Sequence, residues 1–289
     1  MHAGIRAHFA ASGATTRTPI VFVHGGAHTG ACYIETPDGR IGWAPYLAQR
    51  GREAYVYDWP GRGARAAGSD FTTLSLGDVA RDLADVLAEI GPAVLVIHSM
   101  GGVVGWRTAE LARTNVAAIV AIAPGPPANL QPSLDAAAIA DLQRDDAAYA
   151  RAGRPLAHPE HAPIVTPRAV IEQMWMNSTH FPREAADAYL ATVVPESPRA
   201  MNERNNIGGS GIAVAGPEVF DGLPIVVITG DEDPRHPRET DEAIADYVGG
   251  EFIWLPDIGL PGHGHMQMIE RGNLAIADVI ECCLEERGR

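Results

Sequence analysis

Lysine is absent: all 22 cationic side chains of this 289-residue chain are arginines. A P-loop needs a lysine on the nucleotide phosphates, a pyridoxal enzyme needs one for its Schiff base, and a protein kinase needs one on a core strand. Those three classes are excluded. Cysteine is scarce: Cys32, Cys282 and Cys283 make no disulfide framework. Positive charge is outweighed, with a formal net charge of −14. An acidic surface repels phosphate backbones and anionic headgroups, so neither nucleic acid nor a membrane is an expected partner. Long hydrophobic runs are missing too. The longest, Val116 to Ala123, is too short to span a bilayer. Met1 to Gly13 carries His2, Arg6 and His8 without a continuous apolar stretch and does not read as a signal peptide. These absences point to a cytoplasmic protein.

What is present suits a large single core. A chain of this length buries roughly three quarters of the surface its unfolded form exposes, so no staples are needed. Short β-branched runs recur at Pro19–His24, Ala54–Asp58, Ala93–His98, Ala117–Ile122, Pro224–Thr229 and Glu251–Leu255. Unbroken apolar runs of this length suit strands buried on both faces of a parallel sheet. Between them, helical patterns are expected over Gly77–Ile90, Met100–Arg113, His236–Tyr247 and Ile269–Glu286. Strands alternating with helices predict an α/β fold with a mostly parallel central sheet flanked by helices. The alternation breaks between 125 and 222, where Leu134–Arg151, Pro167–Asn177 and Pro182–Val194 read as short helices. We read residues 1–124 and 223–289 as the core, and 125–222 as a helical cap inserted after the sixth core strand.

The segment Val94-Leu95-Val96-Ile97-His98-Ser99-Met100-Gly101-Gly102 runs an apolar strand into a serine, two glycines and a helix start. A sharp strand-to-helix turn of this kind lifts a serine hydroxyl above the sheet, and a helix N-terminus favours negative charge there. Ile97 stands where G-x-S-x-G would place its first glycine, and Ser99 as a plain helix cap is the competing reading. Upstream, Val21-Phe22-Val23-His24-Gly25-Gly26-Ala27-His28 ends a second strand in a glycine-rich loop. Such a loop turns N–H groups toward the same rim, and Ala27 with Met100 is the expected oxyanion pair. A simple turn remains the alternative. Downstream, Gly230-Asp231-Glu232-Asp233 follows one strand, and Gly262-His263-Gly264-His265 follows the next. The chain order Ser99, Asp233, His265 supplies a nucleophile, an orienting carboxylate and a base.

These residues resemble the α/β-hydrolase family over essentially the whole chain outside the cap. The resemblance implies that the acid is Asp233, the last residue of Gly-x-x-Asp, and that the base is His265, five residues before Glu270. His24-Gly25-Gly26, Thr36-Pro37-Asp38-Gly39-Arg40 and Gly262-His263-Gly264-His265-Met266 resemble a bacterial esterase subgroup more closely. Some of its members carry their acid in a Glu-Pro pair, where this chain has Ala123-Pro124, and the role falls to Asp233.

The reading is a serine hydrolase that cleaves a carboxylic ester or lactone, a small-molecule substrate, through an acyl-enzyme on Ser99, with no cofactor and no metal. His263-x-His265 and His24-x3-His28 lack the companions of a zinc motif. Asp58-Trp59-Pro60-Gly61-Arg62-Gly63 fails the dinucleotide spacing and is read as structural. Gly26, His28, Met174, Trp175 and His180 are the expected substrate contacts, against ordinary core packing for the cap residues. A homodimer is compatible with the chain. The alternatives are lyase, C–C hydrolase or perhydrolase chemistry on the same fold, or a ligand-binding homologue without catalysis.

Overall fold

A computed structural model describes residues 3–13, 15–66, 71–144 and 157–289 of the chain. All six apolar runs form strands: β2 (Ile20–Val23), β3 (Ala54–Tyr57), β4 (Ala93–His98), β5 (Val116–Ile122), β6 (Ile225–Thr229) and β7 (Glu251–Trp254). A seventh, β1 (Ile5–Phe9), precedes them and lies antiparallel against β3. The sheet order is β1-β3-β2-β4-β5-β6-β7, and every pairing after the first is parallel. Helices α1 (Trp43–Gln49), α2 (Leu76–Ile90) and α3 (Met100–Leu111) connect the first strands. The insertion carries α4 (Ala136–Arg144), α5 (Arg168–Met174), α6 (Ala186–Leu190) and α7 (Pro198–Arg204), and the chain closes with α8 (Arg238–Val248) and α9 (Asn273–Glu286).

Alternation along each strand explains why the runs had to be apolar throughout. Val94 and Val96 of β4 face one hydrophobic cluster with α1 and α9, while Leu95 and Ile97 face another with α2 and α3. Burying one such aliphatic side chain is worth about 1.5–3 kcal/mol. A one-residue slip of β4 exchanges every side chain between two differently shaped layers. The amphipathic stripe of α2 buries Val79, Leu83, Val86 and Leu87, and Ser75 with Asp78 closes a capping box at its start.

The insertion follows the fifth strand, not the sixth, because a single antiparallel strand precedes the parallel run. Of the helix expected over Leu134–Arg151, the part up to Arg144 is observed, and 145–151 lie outside the described residues. The insertion shares the core of the main fold. Met174, Trp175, Met176, Phe181 and Tyr189 join the cluster on the α1–α9 side, and Ala200, Met201 and Phe220 join the other. Helix α9 starts at Asn273 and not Ile269, since Gly272 has a φ of 83° that no helix continues through. Among the described residues, no helix is long and apolar enough to cross a membrane.

Candidate active site

Parallel strands carry their following loops to one rim of the sheet, so the segments after β2, β4, β6 and β7 meet there. Between β4 and α3, Ser99 adopts φ 52° and ψ −125°. A non-glycine residue in this region costs on the order of 1–3 kcal/mol and persists only where its surroundings over-determine it. They do. Ser99 N–H donates to the Ile122 carbonyl at 3.2 Å, and its own carbonyl accepts from Gly102 and Gly125 N–H at 2.7 and 2.6 Å. Gly101 is obligatory, because a Cβ there would lie 2.6 Å from the His24 carbonyl oxygen. The bulk of Ile97 is accommodated by the facing helix: a Cβ on Gly105 would lie 2.6 Å from the Ile97 side chain.

The half-buried Ser99 hydroxyl lies 3.0 Å from His265 Nε2, the geometry for donating to it, and His265 Nδ1 donates to Asp233 Oδ2 at 2.6 Å. Asp233 Oδ1 accepts from the Arg235 N–H at 2.9 Å. Burial by itself would raise the Asp233 carboxyl. The charges of His265 and His236 and the Arg235 N–H outweigh it and hold Asp233 well below the usual carboxylate range. Burial lowers the His265 imidazole below its ordinary value, although Asp233 pulls the other way. A neutral imidazole next to a permanent carboxylate is the state in which it can take a proton.

The neighbouring acids and histidines have other occupations. Asp231 Oδ1 accepts from Gly262 N–H at 2.7 Å and thus fastens the histidine loop. Glu270 accepts from His263 Nδ1 at 2.9 Å, from Ser178 Oγ at 2.8 Å and from Gly264 N–H. The glutamate five residues after His265 therefore serves His263. Arg40 of the Thr36–Arg40 segment donates to the carbonyls of Ile269 and Glu270, tying that turn to the same loop. His98 Nε2 donates to the His265 carbonyl at 2.9 Å, and its ring packs 4.7 Å from the His265 ring. On the other side His236 stacks at 5.3 Å, with Nδ1 held by Asp241 at 2.9 Å and a buried Nε2 that has no hydrogen-bond partner among the described residues. Burial disfavours the charged form of His236, but Asp241 and Asp233 override it and raise its pKa. Asp233, His236 and His265 bring three ligand atoms within 4.8 Å of one another. A cation bound by these three would replace the Asp233–His265 hydrogen bond that orients the base.

The expected oxyanion pair needs one correction. Ala27 N–H is not free: it donates to the buried carboxylate of Glu196 at 2.7 Å. The N–H groups of Met100 and Gly26, in contrast, enter none of the hydrogen bonds among the described residues. The Gly25-Gly26 turn lies directly against the elbow, where a Cβ on Gly25 would stand 2.8 Å from Ser99 Cβ and one on Gly26 would strike Met100 Sδ.

The expected substrate contacts divide. His28 lines a cavity of about 360 Å³ between the 28–37 segment and the insertion, together with Cys32, Ile34, Tyr189, Thr192 and Ile269. Its Nε2 accepts from the Tyr189 hydroxyl at 2.8 Å, and burial, opposed by a backbone hydrogen bond, lowers its pKa to about 4. Met174 and Trp175 do not line this cavity. They are buried core residues, and the Trp175 ring meets His28 at 4.9 Å. His180 is turned elsewhere, with Nε2 donating to the Pro261 carbonyl at 2.9 Å and its ring stacked 4.4 Å from His263. Sequence reasoning missed Glu196 and passed over Arg62, which pair in the interior.

The alpha/beta hydrolase family model matches residues 20–279. Probable secreted lipase phiG from a fungal species (strain ATCC 74256) is 25% identical over 330 aligned residues, covering 91% of this chain and 80% of its own. The solved structure of MenH from S. aureus matches 99% of this chain and 100% of its own, with a TM-score of 0.65 at 15% identity. A bacterial esterase matches 96% of this chain and 83% of its own, with a TM-score of 0.55 at 18% identity. With the family model spanning nearly the whole sheet, the chain belongs to the alpha/beta hydrolase family.

Proposed function

We propose that the protein is a serine hydrolase that cleaves a carboxylic ester or lactone through an acyl-enzyme on Ser99. The observation that carries this reading is the hydrogen-bond chain from Ser99 Oγ through His265 to Asp233, on a serine held at positive φ. Ser99 Oγ attacks the carbonyl carbon as His265 Nε2 takes its proton, and Asp233 stabilises the imidazolium that forms. The Met100 and Gly26 N–H groups receive the developing oxyanion. His265 then protonates the leaving alcohol, and in the second half-reaction it activates water against the acyl carbonyl. These steps draw on no metal or organic cofactor.

The insertion 125–222 acts as the cap in this reading, and the cavity at His28 and Tyr189 takes one side of the substrate. Three unpaired cysteines, two of them buried or half-buried, accord with a cytoplasmic setting. Turnover of a panel of p-nitrophenyl esters and γ- and δ-lactones by wild type and Ser99→Ala tests the reaction. Hydrolysis by wild type alone is expected. Turnover retained by Ser99→Ala would overturn the mechanism.

A further inference from the structure

We propose that Glu196, balanced by Arg62, is the positioning residue for the oxyanion loop, so that the catalytic rim is completed by a residue of the insertion. This rests on the serine-hydrolase reading and goes beyond it in naming what sets the loop.

The two peptide planes of the loop are fixed in different ways. In the first, the Gly25 carbonyl accepts from His24 Nδ1 at 2.8 Å. A trans peptide points its N–H opposite to its C=O, so this bond directs the free Gly26 N–H away from His24. In the second, the Gly26 carbonyl accepts from His28 Nδ1 at 2.8 Å, and the Ala27 N–H donates to Glu196 Oε2 at 2.7 Å. The Ala27 carbonyl accepts from Val194 N–H at 2.9 Å. Ala27 sits at φ 57°, a conformation that alanine holds only when its neighbours impose it. Both backbone groups of this strained residue are thus bound by the segment 194–196.

Glu196 is wholly buried and equally well fixed. It accepts from Ser197 N–H at 2.7 Å and from the Arg62 guanidinium, which also donates to the Pro195 carbonyl. Arg62 in turn packs 5.9 Å from the rings of both Trp59 and Phe71. Stability alone does not call for this pair, since apolar replacements of buried ion pairs are often neutral or stabilising. What an apolar pair cannot do is accept the Ala27 N–H. An unbalanced carboxylate so close to the loop would oppose the negative charge of the tetrahedral intermediate, and Arg62 cancels that field.

The test compares R62M/E196L, which removes the acceptor without leaving a lone buried charge, with wild type. Melting temperature, kcat and KM on p-nitrophenyl acetate, and the rate of labelling by a fluorophosphonate are measured on each. The double variant is expected to fold with a lowered melting temperature, since the buried Ala27 and Ser197 N–H groups lose their acceptor, and to lose kcat by on the order of 100-fold, as for a lost oxyanion donor, with KM little changed. If the double variant does not fold, E196D carries the same test, because its shorter arm withdraws the acceptor and keeps the charge. A folded double variant or E196D with wild-type kcat overturns the proposal. Equal labelling rates in wild type and double variant overturn the positioning role alone. A wild type that neither turns over nor labels removes the serine-hydrolase reading, and the proposal with it.

Discussion

His263 and His265 stand two residues apart on one loop, both buried, and each gives its Nδ1 to a buried carboxylate at 2.9 and 2.6 Å. Their roles diverge at the other nitrogen. His265 Nε2 meets the Ser99 hydroxyl at 3.0 Å, while the His263 ring is covered by His180 at 4.4 Å. Their carboxylates differ in the same sense. Glu270 spreads its bonds over Ser178, Gly264 and His263, the pattern of a loop fastener, whereas Asp233 gives one oxygen to His265 alone. A histidine–carboxylate pair is therefore a common structural device, and it becomes a proton relay only where a nucleophile faces the free nitrogen.

Substitutions that treat the two pairs alike should separate them. The largest effect is expected for His265→Gln, with kcat/KM falling by about 10⁴-fold in steady-state kinetics and little change in melting temperature. Asp233→Asn comes next, at about 10³–10⁴-fold, while Asp231→Asn should remain within about threefold because its oxygen still accepts from Gly262. The reverse ranking of the two aspartates would contradict the assignment of the acid. His263→Gln should do the opposite of His265→Gln, losing about 1–3 kcal/mol in denaturant unfolding while retaining most activity.

The pH profile sharpens the same contrast. His265 must be neutral to accept a proton, and its pKa lies below the ordinary 6.5. The acid limb of kcat/KM is thus expected to fall off as pH drops through a midpoint below 6.5. A protonated His236 places positive charge toward His265 and lowers its pKa. The smallest effect predicted is an upward displacement of that limb in His236→Gln, read from pH–rate profiles. A downward displacement would contradict this account of the His236–His265 stack.

How much of this was legible in the sequence depended on how far apart the partners lie along the chain. The buried strands announced themselves because both faces of β4 to β6 need apolar side chains. Strand β1 did not, since Ile5–Phe9 lies at the sheet edge with Arg6 exposed, and its mixed polarity resembles a loop. Ser99, Asp233 and His265 were legible because each follows a strand, so topology alone brings them to one rim. The Ala27–Glu196 contact spans 169 residues and the Arg62–Glu196 pair spans 134, with no motif around Glu196 to signal either. Met174 and Trp175 were ambiguous for a related reason: an apolar helix face looks the same whether it meets a pocket or the core.

The central claim is that Ser99 is an activated nucleophile, and intact-mass spectrometry after fluorophosphonate treatment tests it most directly. Wild type is predicted to gain one adduct, mapping to Ser99, and Ser99→Ala is predicted to gain none. An unmodified wild type, or an adduct that persists in Ser99→Ala, would contradict the account.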